Sequence, residues 1–138
     1  MWAQEPRVKA RLRQEVVDMR ERMRNEHTST APGIFDLKQD TGGIVDIEFI
    51  VQYLVLLRSC EYRELTKWTD IVRILETLKE THIINDHVAH ILKIAYLTFR
   101  SAVHQLSLQE KPALVHEKRF RGMRKDVIRI WKDVMEIE

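Results

Sequence analysis

The sequence predicts an all-α fold, a helical bundle of about five helices around a central apolar helix at about 44–58. Three observations carry that expectation. Its 138 residues include only 4 Gly and 3 Pro, too few for the many tight turns of an all-β protein. Apolar residues recur at helical spacing in segment after segment. The stretch from Ile44 to Leu57 is apolar on nearly all sides, with Asp46, Glu48 and Gln52 as its polar positions. A helix of that kind belongs inside a bundle, and it is too short and too punctuated by acids to span a membrane.

The first helix is expected from Glu5 to about His27. Pro6 suits the first helical position, where a missing N–H costs nothing. Val8, Leu12, Val16, Met19 and Met23 fall on one apolar stripe. The run Arg20-Glu21-Arg22-Met23-Arg24 reads either as a basic patch for phosphates or as a solvated face laced with i, i+4 ion pairs; the solvated face is the expectation. Residues 28–43 form a loop and glycine hinge. Gly42 and Gly43 allow backbone angles that other residues resist, and Asp40 or Thr41 is placed to cap the central helix. Two glycines before a helix also suit a phosphate, but the fuller spacing and the lysine of a phosphate loop are missing.

The polar positions of the central helix are the candidate site residues. At about 100° per residue, Glu48 and Gln52 share one face and Asp46 points away from both. Asp46 lies in the first turn, where the helix dipole favours a negative charge. Two roles are open for the three: a buried or rim hydrogen-bond network, or polar groups facing an active site or an interface built by another domain.

Beyond Arg58 the pattern breaks around Cys60. Thr69 reads as the N-cap of the next helix, with Asp70 in its first turn and Trp68 ahead of it as a staple. Ile71, Val72, Ile74, Leu75 and Leu78 give that helix its apolar face. Asn85 or Asp86 caps a long helix running to about Leu106. His87 and His90 have ligand-like spacing, but they fall on its polar side with no matching Cys or carboxylate, so no metal is expected. Pro112 interrupts the chain. Ala113 to Gly122 reads as a connector whose basic run, Lys118-Arg119-Phe120-Arg121, is either solvated or a partner contact. Val127, Ile128, Ile130, Trp131, Val134, Met135 and Ile137 mark the last helix.

Composition narrows the function classes. The length suits one domain. With 23 basic against 21 acidic residues there is no concentrated positive charge, so no nucleic-acid partner is expected. Cys60 is the single cysteine, which excludes an internal disulfide and suits a reducing compartment; it has no catalytic dyad beside it. The chain does not open on a basic segment followed by an apolar run, so neither a signal peptide nor a membrane partner is expected and a cytoplasmic location is.

Phe35-Asp36-Leu37-Lys38, then Asp40, then Gly42 through Ile50, then Gln52-Tyr53-Leu54-Val55-Leu56 resemble the glutamate–ammonia ligase adenylyltransferases. The matching part of that family is the C-terminal helical domain that follows the adenylylating nucleotidyltransferase domain. The resemblance runs from about Phe35 to the C-terminus, more weakly through residues 65–76 and around Trp131, and loosely before Phe35. It implies an intact protein that uses ATP and magnesium to transfer AMP to a tyrosine of glutamine synthetase, in answer to glutamine and to the PII regulatory protein. The family holds its metals with paired aspartates in a Gly-Ser … Asp-x-Asp pattern, and this sequence has no such pattern. The resemblance therefore implies that residues 1–138 are a C-terminal piece of a larger multidomain enzyme, packed on their own upstream nucleotidyltransferase domain. On that view the piece binds no cofactor, carries no catalytic residue and is inactive alone. Val45 stands where the deadenylylating half of the family usually has Arg, which favours the adenylylating half. Two alternatives stay open: the equivalent domain of the PII uridylyltransferase, and a stand-alone helical interaction module that binds through the Arg-rich first helix or the basic connector.

Overall fold

The computed structural model describes residues 6–27, 31–58 and 70–137. In chain order its elements are α1 (Pro6–Glu26), β1 (Ile34–Asp36), α2 (Ile44–Arg58), α3 (Ile71–Glu80), α4 (Asp86–Leu108), β2 (Leu114–His116) and α5 (Arg121–Met135). The helical bundle around 44–58 is what the apolar run predicts. α2 touches α1, α3, α4 and α5, and its Ile47, Ile50 and Val51 are fully buried. Removing such side chains from water on three sides is the main force holding the bundle together.

Local chemistry sets the helix boundaries. The Asp70 carboxylate accepts the Val72 N–H at 2.8 Å, so α3 is capped by Asp70 and not one residue earlier by Thr69. Asp is as effective a cap as Thr, and extended backbone at Asp70 places it there. Trp68, Thr69 and Cys60 lie outside the described residues. Asn85 caps α4 by accepting the Val88 N–H at 2.8 Å. α4 runs to Leu108, beyond the last apolar repeat at Leu106, because the chain has good helix formers until it turns at Gln109 and Glu110.

The sequence pattern missed a small antiparallel ribbon. β1 pairs with β2 in the register Ile34↔His116, Phe35↔Val115, Asp36↔Leu114. Three-residue strands are too short to display a period of two. The ribbon draws residues of the 31–43 segment and of the 113–122 connector into the core. Phe35 is fully buried and meets Phe99 edge to face at 5.7 Å; Phe120 meets the other side of Phe99 at 5.8 Å. Lys118, Arg119 and Arg121 remain exposed.

α1 departs most from expectation. Leu12 and Val16 pack on the core, but Met19, on the same predicted stripe, is 51% exposed. The fully buried position in the described part of α1 is Arg20, which the sequence places on a solvated face. A charge buried at the only such position needs a partner, and that partner leads to the site.

Candidate functional site

Asp46 is the partner. Arg20 Nε donates to Asp46 Oδ1 at 2.5 Å, and Arg20 Nη2 donates to the Gln39 carbonyl at 2.6 Å. Arg24, one turn further along α1, donates from Nη2 to the same Oδ1 at 3.1 Å. The second oxygen, Oδ2, accepts the Gly42 N–H at 2.7 Å. Arg20 and Asp46 are both shielded completely from solvent. One carboxylate thus joins α1, α2 and the glycine turn. Burying such a pair is costly, and it persists where the geometry and the remaining hydrogen bonds are good. Through these bonds the pair ties α1 to α2 and to the turn, beside the apolar contacts of Leu12, Val16 and Val17.

The turn is held equally firmly from the other side. Arg124 of α5 donates from Nε to the Thr41 carbonyl at 2.8 Å and lies 4.3 Å from the Phe35 ring centroid. Gly42 has φ +84°, and a Cβ there would stand 2.7 Å from Arg124 Cγ and 2.8 Å from the Arg124 carbonyl oxygen. A Cβ on Gly43 would stand 2.6 Å from the Leu37 carbonyl oxygen. Both glycines are required for close approach, and Gly42 for its left-handed backbone as well. The Asp40 side chain accepts the Asp36 N–H at 2.8 Å and so braces the turn against β1, while Asp46 supplies the carboxylate in the first turn of α2.

The three candidate residues do not converge. Asp46 is enclosed beneath α1. Gln52 is exposed and Glu48 half-buried on another face of α2. That face is open. Val16 and Met19 of α1, with Phe49, Gln52, Tyr53 and Leu56 of α2, line a groove of about 330 Å³ that has Glu15 at its edge. Leu56 is 53% exposed, so the most apolar helix of the bundle is not covered all round. Sequence reasoning missed Arg20 and Arg24. Their i, i+4 spacing on a helix beside an acid-bearing apolar helix was the available signal.

On its α4 side Glu48 acts on Tyr96. Burial raises the Tyr96 phenol above its ordinary value; Arg100 opposes this, and the negative charges of Glu48 and Asp70 add to it. The folded chain therefore holds this proton more tightly than the unfolded chain. The stability it contributes is complete below the unfolded phenol value of about 10 and is lost as pH rises through the higher folded value. Phenolate absorbance is expected to include a late-titrating component that Tyr96→Phe removes. A profile unchanged by the substitution would refute the assignment.

Among the described residues no three His, Cys, Asp or Glu side chains gather as a metal site. His87 and His90 are exposed on α4. No helix among the described residues is long and apolar enough to cross a membrane.

The described residues form a small helical bundle with a clamped glycine turn and an open apolar groove. The sequence matches the family model described as GlnD PII-uridylyltransferase over residues 8–114. The chain belongs to this GlnD PII-uridylyltransferase family. Curated relatives carry a different name, bifunctional glutamine synthetase adenylyltransferase/adenylyl-removing enzyme. The protein of that name from Methylococcus capsulatus is 45% identical over 125 residues, 91% of this chain and 13% of that protein. That from Thioalkalivibrio sulfidiphilus is 45% identical over 130 residues, 94% of this chain and 13% of that protein. That from Haemophilus ducreyi is 42% identical over 128 residues, 93% of this chain and 13% of that protein. The chain spans about an eighth of the length of these relatives.

Proposed function

We propose that residues 1–138 form a helical accessory domain of a longer nucleotidyltransferase that moves AMP from ATP to a tyrosine of glutamine synthetase. The observation that carries this reading is the identity of 42% to 45%, across more than nine-tenths of the chain, to proteins named for that activity. ATP and magnesium belong, in this reading, to a nucleotidyltransferase domain elsewhere in the polypeptide. Control by glutamine and the PII protein, and a cytoplasmic location, belong to the same proposal. Gln52, which lines the open groove, and Glu48, half-buried towards α4, are proposed to face the rest of the enzyme. Asp46, enclosed by Arg20, Arg24 and Gly42, positions α1 and the turn.

The description of the matching family favours a second reading, transfer of UMP to PII. One pair of assays separates them. The longer protein is expected to label glutamine synthetase from ATP, and the 138-residue chain alone is expected to label nothing. Labelling of PII from UTP by the longer protein would replace the first reading with the second, and AMP transfer by the pure chain would defeat the accessory role. In the longer protein, Glu48→Gln is expected to slow AMP transfer at least tenfold at unchanged Tm. A normal rate, or a fall that merely follows a fall in Tm, would make Glu48 scaffold.

A further inference from the structure

We infer that the α1–α2 groove seats an apolar-faced helix from the remainder of the longer protein, with a Lys or Arg at the edge that meets Glu15. This rests on reading the chain as one domain of a longer enzyme.

The groove has the layout of a helix seat. Phe49, Tyr53 and Leu56 stand at i, i+4 and i+7 on α2, and Val16 and Met19 at i, i+3 on α1. Two such rows side by side offer the holes into which a third helix inserts its own side chains. Met19 and Leu56, from facing walls, are 51% and 53% exposed. With Phe49 and Val16 beside them they form a contiguous apolar patch, the kind of surface that marks an interaction site. The floor is firm, because the buried Arg20–Asp46 pair fixes α1 against α2 one turn beyond Val16.

Charge narrows the occupant. Glu15 is the one charged residue lining the groove, and Gln52 and the Tyr53 phenol are its other polar groups. Glu15 pairs with Arg11 in an exposed i, i+4 contact at 3.3 Å, with the two side chains 81% and 63% exposed for Arg11 and Glu15. Such exposed pairs add little to stability, so an incoming cation readily takes Arg11's place. Supply narrows it further. Relatives carry about seven-eighths of their length outside the matched region, and a tethered helix reaches the groove at an effective concentration of order millimolar.

The test is made in the longer protein with a photo-crosslinking amino acid in place of Leu56. The expected product is an internal crosslink to an apolar, Lys- or Arg-bearing helix outside these 138 residues. Met19→Glu is expected to cut its yield at least tenfold. Leu108→Glu, at a side chain 72% exposed on α4 and outside the groove, is the control expected to leave the yield unchanged. A link between two copies, a link confined to these 138 residues, or no link would each overturn the inference. So would a yield indifferent to Met19→Glu. AMP transfer is assayed on the same preparation. An internal link without transfer would keep the seat and remove the assigned activity, and transfer without a link would do the reverse.

Discussion

Asp46→Asn is expected to lower the unfolding free energy of the chain by about 3–5 kcal/mol, the usual penalty for removing one partner of a buried ion pair. The amide keeps the shape of the carboxylate but leaves Arg20 with a charge and no counterion, in a place where its Nη1 already has no hydrogen-bond partner among the described residues. The one remaining amide oxygen can serve either the two arginines or the Gly42 N–H, and the amide nitrogen then faces a donor at the other position. Urea unfolding reads the effect directly. The double change Arg20→Met with Asp46→Leu is expected to recover most of the loss, since apolar groups of similar volume replace buried pairs with little penalty. A single-variant loss below about 1 kcal/mol is the value of an exposed pair and would contradict the burial described for Arg20 and Asp46.

Gly42→Ala is the second large effect, expected at about 3 kcal/mol. Two terms contribute. Holding a side chain in the left-handed region costs roughly 1–2 kcal/mol, and forcing a methyl group against packed atoms costs about 1–3 kcal/mol. Gly33 separates them, because it has the same φ of +84° and open space around its missing Cβ. Gly33→Ala should therefore cost only about 1 kcal/mol. Truncating the clamp does not rescue the Gly42 variant, since the Arg124 carbonyl oxygen would remain 2.8 Å from the new Cβ. Equal losses at Gly33 and Gly42 would show that α5 does not press on the turn.

Much of this was legible in the residues, for reasons of scale. A fifteen-residue apolar helix, helical periods over ten or more residues and an Asn cap are local signals, and α2, α3, α4 and α5 follow from them. The first-turn place of Asp46 and its divergence from Glu48 and Gln52 are consequences of helix geometry alone. The β1–β2 ribbon was not legible, because three residues carry too little pattern and their partners lie far along the chain. Nor was the burial of Arg20. Composition assigns an arginine to solvent, and only the tertiary meeting with Asp46 reverses that. The exposure of Leu56 and Met19 is the same lesson with opposite sign: periodicity marks what prefers burial and cannot say whether a neighbour is present to provide it.

The contacts that tie the two ends together also order events in time. Arg124 and Thr41 are 83 positions apart, and Arg13 and Glu136 are 123 apart. Closing loops of that size loses chain entropy before any contact repays it. The α3–α4 pair joins across a short turn and needs no such closure. The refolding chain should thus assemble the middle of the bundle early and latch α1 and the ribbon late. Weakening the latch, at Arg124 or in the ribbon, would then quicken unfolding while leaving the refolding rate nearly unchanged. The residues nearest the glycine turn would act as a brake on opening, setting how long the assembled bundle lasts and not how quickly it forms.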